Sequence, residues 1–478
     1  MAGIGIKLSR IFSKETILTN LLGFGYSMMV TVTPMFVVIA NIMLMSWVLG
    51  YNTMGYASRN LFSASMLYIF IFSLLTASPF NAVLSRYLSD VIYDEDYGDI
   101  LPCYYVGMIL NVIFSCLFGI VFCIRWYLVG NAPLYYVFTS FCGYIALVLV
   151  FYSMLYLSIC KDYKKISAFF FSGMLAAFLL SLLFVRVFRM DIAYSMLLAL
   201  TMGFVCTAVL ENATIQRYFK FNSNRYRKVL SYFKIYWKLV VINFAYSLGL
   251  YIHNFVFWRS ELRTVVDNVF VMAPSYDVAT YLAMITNISA SVIFIARVEM
   301  HFHDRYKAYS EAVTGGRWQD INNTKKRMFR QLSGELMSLV RLQFIVSVVV
   351  YLVLLIFLPR FGFAGMPLMI YPCLAAGYFI LFVMYAEIIF LYYFNDMNGA
   401  LLTTLSFCIM TFLGSCAART LSEIWYGLGV VIGSAVGFCI AYSRIQWVER
   451  HLDNHIFCRG ILFPATKERK PTAKVYPK

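Results

Sequence analysis

The chain has 478 residues, of which 61% are hydrophobic and 13% charged, and its mean hydropathy is +0.74. A soluble domain is about half apolar and about a quarter charged, so this composition excludes a soluble enzyme. The net charge of +16 would also suit a nucleic-acid binder. The basic residues, however, collect on one side of a predicted membrane protein, and no nucleic-acid partner is expected.

The first sixteen residues predict a short helix that lies on the membrane surface. Lys7, Arg10 and Lys14 alternate at helical spacing with apolar residues from Ile4 to Phe12. This pattern is typical of an interfacial amphipathic helix. The apolar stretch that follows is long and lacks a small-residue cleavage site, so we do not expect a cleavable signal peptide.

Twelve apolar runs follow, each long enough to cross a membrane as a helix of about 20 residues. The first six centre on residues 27–49, 61–82, 101–124, 134–159, 165–187 and 192–211. The second six centre on residues 237–258, 277–297, 337–359, 365–394, 400–418 and 423–443. A basic connector at 214–236 thus divides an N-terminal lobe, 17–213, from a C-terminal lobe, 237–443.

Lys and Arg are distributed very unevenly between the two sets of loops. With the N-terminus placed in the cytoplasm, 31 of the 39 Lys and Arg residues fall on the cytoplasmic side. This bias predicts that both termini are cytoplasmic and that the number of spans is even. The cytoplasmic side then holds the connector, a polar loop at 298–335 and a basic tail at 444–478. In the loop, Gly315 and Gly316 predict a turn between two polar helices.

The chain carries no catalytic or nucleotide-binding fingerprint such as HExxH, GxSxG, Walker A or the Rossmann glycine motif. Asp94, Glu95 and Asp96 resemble the acidic triplet of some glycosyltransferases, but a solvated acidic turn is the better interpretation. His301 and His303 lack a third metal ligand. The eleven cysteines form no CxxC pair. We therefore expect no catalytic residue, no metal and no cofactor.

Polar side chains inside the spans are the best candidates for function, because each is costly in hydrocarbon. Glu387 in the tenth span is either an ion-coupling carboxylate or a structural hydrogen-bond partner of a neighbouring helix. Amide side chains at membrane depth suit sugar hydroxyls and N-acetyl groups, although each is also a common helix-packing device. These candidates for a transport cavity are Asn41, Asn111, Asn243, Asn254 and Asn287.

Other residues have simpler interpretations. His253, near the end of the seventh span, is predicted to be interfacial. Gly429, Gly433 and Gly437 form a small-residue face on the last span, which predicts close helix packing. Tyrosine pairs such as Tyr104–Tyr105 are predicted to form interfacial belts, with stacking on sugar rings as the alternative.

Five segments of the sequence resemble the PelG family of exopolysaccharide exporters, which belongs to the multidrug/oligosaccharidyl-lipid/polysaccharide (MOP) flippase superfamily. The segments are MAGIGIKLSRIF (1–12), SRYLSDVIYDED (85–96), CKDYKKI (160–166), YDVATYLAMITNISASVIFIARVEMHFHDRYKAYSEAVTGG (276–316) and YYFNDMNGALLT (392–403). They are spread over nearly the whole chain. The block at 276–316 is the most specific.

The resemblance implies an all-α, MATE-like membrane protein with two six-helix lobes in a V, related by a pseudo-twofold axis along the membrane normal. It implies a central cavity that opens to each side in turn. It also implies export of the Pel polysaccharide across the bacterial inner membrane, with the membrane proteins PelD and PelE and the glycosyltransferase PelF as partners. The cytoplasmic loop, with Asp304, Arg305 and Lys307, is the candidate docking site.

Three other functions compete with a polysaccharide exporter. A flippase for a lipid-linked oligosaccharide would use the same fold. A multispan membrane enzyme would need a sizeable outer loop with catalytic residues, whereas the longest one here, at 259–276, is short. A non-transporting scaffold would leave the intramembrane amides and Glu387 unexplained. The source of energy, an ion gradient or polymer synthesis, is open at this point.

Overall fold

The computed structural model describes residues 17–159, 163–293, 300–361 and 365–453. The predicted surface helix at 1–16 and most of the basic tail lie outside these residues. The first half contains α1 (Ile17–Val48), α2 (Tyr56–Tyr93), α3 (Ile100–Val129), α4 (Leu134–Ile159), α5 (Tyr163–Arg186) and α6 (Ile192–Tyr218). A short helix, α7 (Tyr226–Ile235), lies in the connector.

The second half begins with α8 (Trp237–Phe257), followed by two short strands, β1 (Thr264–Val266) and β2 (Phe270–Met272). It continues with α9 (Pro274–Ile293), α10 (Met300–Gly315), α11 (Trp318–Phe357), α12 (Met366–Tyr393), α13 (Met397–Ala418) and α14 (Leu428–Asp453). Within the described residues, ten helices are long and apolar enough to cross a membrane. The two remaining predicted spans coincide with α1 and α9.

Several helices, α11 and α14 among them, extend well beyond the predicted spans. Helix α11 begins at Trp318, so the polar loop is a pair of helices, α10 and α11, joined at Gly315 and Gly316 as predicted. Helix α14 continues to Asp453. A hydropathy pattern marks only the part of a helix that lies in hydrocarbon. Polar turns outside the bilayer continue the same backbone hydrogen bonds without an apolar signal.

The two halves pack their helices in the same pattern. In the N-terminal lobe the packed pairs are α1–α5, α2–α3, α2–α4, α3–α4, α4–α6 and α5–α6. In the C-terminal lobe the corresponding pairs are α8–α13, α9–α11, α9–α12, α11–α12, α12–α14 and α13–α14. The chain therefore contains a structural repeat of six helices. An even number of spans gives both repeats the same orientation in the membrane.

Each lobe has its own hydrophobic core, and the lobes meet along few elements. Helix α2 packs on α8, and α1 packs on α9. In the repeat, α1 corresponds to α8 and α2 corresponds to α9. The α2–α8 and α1–α9 contacts are therefore equivalent, since exchanging the two lobes converts one contact into the other. The remaining contacts between the halves involve the β-hairpin and α7.

The predicted glycine face on the last span is a packing surface. A Cβ atom at Gly433 would lie 2.0 Å from Thr411 Oγ1, and one at Gly429 would lie 2.1 Å from Ser415 Oγ. Only glycine allows α14 to approach α13 this closely. The prediction of close packing is therefore confirmed.

Candidate functional site

The two strands between α8 and α9 form an antiparallel hairpin in which Thr264 pairs with Met272 and Val266 with Phe270. Asp267 and Asn268 at its tip both have positive φ, +51° and +57°. Two such residues are characteristic of the tight turns that match the twist of a hairpin. We call this end of the bundle the hairpin end and the opposite end, where α7 lies, the connector end.

The hairpin belongs to the C-terminal half in sequence but packs in the core of the N-terminal lobe. Phe270 is 1% exposed, and its ring meets Trp126 edge-on with the centroids 4.5 Å apart. It meets the ring of Tyr68 in the same way at 4.8 Å. Burial of an aromatic side chain of this size contributes about 2–3 kcal/mol, so the hairpin is firmly seated on the N-terminal lobe.

The carboxylate of Asp267 fastens the hairpin tip to the loop between α3 and α4. Its Oδ2 accepts hydrogen bonds from Trp126 Nε1 at 2.6 Å and from the Ala132 backbone N–H at 3.1 Å. Its Oδ1 accepts one from the Asn131 backbone N–H at 2.7 Å. Three hydrogen bonds to one carboxylate hold the tip in a single position.

Tyr68 on α2 connects the hairpin to α8. Its hydroxyl donates to Val271 O at 2.9 Å and accepts from Val271 N at 3.0 Å. Its ring stacks on Trp258 with the centroids 5.1 Å apart and the planes 10° apart. One turn further along α2, Phe72 stacks on Phe255 of α8. The hairpin end is therefore closed by contacts that run between the two lobes.

At the connector end, Asp99 anchors the connector to the N-terminal lobe. Asp99 is 1% exposed and accepts hydrogen bonds from Lys228 Nζ at 2.9 Å, from Tyr87 Oη at 3.3 Å and from Ser223 Oγ. The guanidinium of Arg225 lies 3.7 Å away. Helix α7 is thus tied to the start of α3.

Three of the five predicted cavity amides have structural roles. Asn254 Nδ2 donates to Asp277 Oδ1 at 2.8 Å, and Asn111 Nδ2 donates to the Gly107 carbonyl on its own helix. Asn287 donates to two backbone carbonyls and accepts from Gln343 and Ser347. These bonds occupy both ends of the Asn287 amide, whereas the Oδ1 atoms of Asn111 and Asn254 have no hydrogen-bond partner among the described residues.

The other two amides have only weak hydrogen-bond partners, or none, among the described residues. Among the described residues, the hydrogen-bond partners of Asn41 on α1 are the sulfur atoms of Met45 and Met174, at 3.4 and 3.7 Å. Asn243 on α8 is half-buried and forms no hydrogen bond within the described part of the chain. Both lie on helices that form the contact between the lobes. Of the five candidates, these two fit a transport pathway best.

Two glutamates are buried inside the lobes without adequate partners. Glu387 on α12 is 1% exposed, and its Oε2 has no hydrogen-bond partner among the described residues. Glu211 on α6 is 0% exposed, and neither of its oxygens has one. Sequence reasoning missed Glu211, because the predicted sixth span ends at residue 211 whereas α6 continues to Tyr218.

The prediction that His253 is interfacial is wrong. His253 is 0% exposed, and its two ring nitrogens lie 2.8 Å from Tyr276 Oη and 3.1 Å from Tyr378 Oη. Its position near the end of α8 suggested contact with water, but α9 and α12 cover it. The buried Tyr104, stacked on Tyr152 and hydrogen-bonded to Ser153, is likewise no belt residue.

Tyrosine is repeated every seven residues along α12, at Tyr371, Tyr378, Tyr385 and Tyr392. Because seven residues are nearly two helical turns, the four side chains lie on one face. Tyr378 contacts His253, and Tyr385 stacks on Tyr246 of α8 with the centroids 4.9 Å apart. The C-terminal lobe thus has an aromatic face between α12 and α8.

Solved structures with the same fold are transporters. The fold of this chain matches two structures described as the inward-facing and the outward-facing conformation of a multidrug resistance MATE family transporter of the MOP superfamily. Each match has a TM-score of 0.60. The two are 12% and 13% identical to this chain, and the matches cover 89% and 90% of it and 96% of each of those chains. A MOP superfamily transporter from Pyrococcus furiosus matches with a TM-score of 0.58 at 12% identity, over 89% of this chain and 96% of that one. This chain therefore has the fold of the MOP superfamily transporters.

The sequence gives a closer assignment. The family model described as "PelG: Putative exopolysaccharide Exporter (EPS-E)" matches residues 1–457. No curated protein matches the chain. Since the family model covers nearly the whole sequence, the chain belongs to the PelG family, in agreement with the resemblance found in its motifs.

The contacts at the hairpin end lead to a first prediction. In a double variant, Ala132 and Asp267 are both replaced by cysteine. These residues are in contact, with the Ala132 backbone nitrogen 3.1 Å from the Asp267 carboxylate, so we expect an oxidant to join the two cysteines in a disulfide. If the lobes separate here during transport, the disulfide abolishes transport and a reductant restores it. The measurement is secreted polymer from cells that carry the double variant.

The matched controls are the two single variants, Ala132→Cys and Asp267→Cys, treated with the same oxidant. Transport that continues at the normal rate in fully cross-linked protein would contradict the idea that this contact opens.

Proposed function

We propose that this protein exports a cytoplasmically synthesised, N-acetylhexosamine-rich polysaccharide, the Pel polysaccharide, across the bacterial cytoplasmic membrane. The observation that carries the proposal is the division into two similarly packed lobes that meet along few elements, in a chain of the PelG family. Such lobes suit a carrier, because each can move as a unit while the path between them opens. Both termini are placed in the cytoplasm on the basis of the Lys and Arg distribution.

With this orientation the hairpin end faces outward, and the structure corresponds to a state closed to the outside. Export then requires the contacts of Asp267 and Tyr68 to break. Alternating access and translocation driven by the synthase both require this step. They differ in whether a titrating residue in the lobes drives it.

Partner docking is assigned to the cytoplasmic helices α10 and α11. Arg305 and Lys307 are exposed on α10, whereas the side chain of the third candidate, Asp304, lies outside the described residues. The N-terminal lobe has no equivalent of this helical pair, since α2 and α3 are joined directly through 94–99. An addition confined to one lobe suits recognition of PelD, PelE or PelF.

The function is tested by deleting the gene and locating the polymer. We expect polymer, or intermediates of it, to accumulate in the cytoplasm, because synthesis continues while the exit is missing. Immunodetection after cell fractionation measures this. Complete absence of polymer, with the other components at normal abundance, would favour an enzyme or scaffold. Accumulation of lipid-linked oligosaccharide would favour a flippase.

The orientation has its own test. Single cysteines near Arg59, Arg189 and Arg263 should react with a membrane-impermeant maleimide in intact cells, because these loops lie at the hairpin end. Cysteines near Arg227 and Lys325 should react only after the membrane is opened. Labelling near Lys325 in intact cells would reverse the orientation.

Glu387 and Glu211 test whether ion coupling drives export. A buried carboxyl group without a hydrogen-bond donor carries charge only when water or a cation reaches it. Replacement by Gln keeps the shape and removes the titration. If protons drive the movement, Glu387→Gln reduces export about tenfold or more at normal protein abundance, in line with loss of a general proton-transfer step.

Glu211→Gln is the matched variant in the other lobe, and Glu387→Asp keeps the acid. Export should also lose its dependence on external pH in the variant that removes the coupling group. If both Gln variants export normally at every pH, neither acid drives transport and polymer synthesis is the remaining source of energy.

A further inference from the structure

The helices α10 and α11 border an open surface cavity that the proposed transport pathway does not use. The cavity has a volume of about 610 Å³ and lies between α10 and the first half of α11. Its lining consists of Arg305, Arg327, Arg330, Gln331, Gly334, Glu335 and Ser338. A cavity of this size is large enough for a small molecule or a lipid headgroup.

Positive charge dominates the cavity. Arg305, Arg327 and Arg330 are exposed side chains, and none of them forms an ion pair or hydrogen bond within the described part of the chain. Glu335, which accepts a hydrogen bond from Gln331 at 2.8 Å, is the single acid of the lining. Three guanidinium groups around one space repel each other unless an anion lies between them.

The backbone of α11 is open toward this space. No atom lies within 4 Å of the position that a Cβ would occupy at Gly334. A glycine in the interior of a helix costs about 1 kcal/mol relative to alanine. Neither packing nor a turn requires glycine here, so a ligand that approaches the helix closely would account for it.

The geometry of the charges favours a phosphate group. The planar guanidinium donates two parallel hydrogen bonds to phosphate oxygens, and arginine is the preferred residue for such recognition. A phosphate that lies between two or three arginines would neutralise the excess charge of the cavity.

The position of the cavity indicates the source of the phosphate. Large apolar side chains of α11 are exposed on either side of Ser338: Met337 and Phe344 are each 60% exposed and Ile345 is 53% exposed. Exposed apolar side chains on a membrane helix face lipid. The cavity therefore lies where a phospholipid headgroup would lie if its acyl chains packed along α11.

We propose that this cavity binds the phosphate of an anionic phospholipid of the membrane leaflet at the connector end, and that the bound lipid fixes α10 against α11. Basic pockets at the cytoplasmic ends of membrane helices are suited to such headgroups. Lipid binding here requires neither a polymer nor a partner protein, although Arg305 is also a candidate docking residue.

The test uses the full-length protein purified in a neutral detergent, and it measures the unfolding temperature. Phosphatidylglycerol should raise this temperature in a saturable manner, because a ligand that binds only the folded state stabilises it. Phosphatidylcholine, which has no net charge, should raise it much less. Inorganic phosphate and glycerol phosphate at the same concentration should have little effect, because they lack the acyl chains.

Two variants locate the effect. Arg330→Gln should raise the half-saturating concentration of phosphatidylglycerol about tenfold or more, as expected for the loss of a hydrogen bond between charged groups. The matched control is Lys326→Gln, which removes one exposed positive charge from the same helix outside the cavity. This control should respond to the lipid as the original protein does.

Gly334→Leu distinguishes loss of the site from loss of the fold. The new side chain has room within the protein and improves the helix, so the unfolding temperature without lipid should stay equal or rise, while the response to phosphatidylglycerol disappears. An undiminished response in both Gly334→Leu and Arg330→Gln would overturn the proposal. Equal stabilisation by inorganic phosphate would overturn the assignment to a lipid.

Discussion

Hydrocarbon offers no partner for a hydrogen bond, and the architecture of this protein depends on that constraint. Every backbone N–H and C=O group in the bilayer must be paired within the protein, so the spans are helices. The same constraint applies to side chains. Asp277, near the hairpin end, accepts hydrogen bonds from Asn254, Trp258 and the Ala273 backbone. Asp396, near the connector end, accepts from Arg444 and from the Gly399 backbone.

The buried acids thus fall into two groups. Asp99, Asp277 and Asp396 lie near helix ends and are each bound by several donors, which makes them fixed points of the structure. Glu211 and Glu387 lie inside the lobes and retain oxygens that have no hydrogen-bond partner in the described ranges of the chain. A buried polar group without a partner costs about 1–3 kcal/mol, and a charged one costs more. Such positions are more consistent with a conformational role than with a role in holding the fold together.

The two lobes repeat each other's helix packing but differ in what is attached to them. The C-terminal half contributes the hairpin, which is seated in the core of the N-terminal lobe, and the helices α10 and α11 at the connector end. The hairpin joins the lobes at one end, and the connector, held by Asp99, joins them at the other. The lobes also touch directly, through α2 on α8 and α1 on α9, and the hairpin and the connector add contacts at the two ends.

The sequence alone determined those features of the protein that depend on residues close together in the chain. Apolar runs of about 20 residues, the bias of Lys and Arg and the motif segments are local properties, and they were sufficient for the helical class, the six-plus-six division and the PelG family. The glycine face of α14 was also readable, because its spacing lies within one helix. The β-hairpin was not predicted, because two strands of three residues joined by an Asp-Asn turn leave only a weak pattern in the sequence.

The roles of individual polar side chains were decided by the tertiary structure. Asn287 and Asn243 look alike in the sequence, yet the first is saturated by neighbours from α9, α11 and α12, while the second has none in the described part of the chain. His253 is buried because α9 and α12 cover it, and Glu211 is buried because α6 continues past the apolar run. Whether a polar atom has a partner depends on residues far away in the sequence, 56 to 88 positions for Asn287 and 125 for the contact of His253 with Tyr378, and only the folded chain brings those residues together.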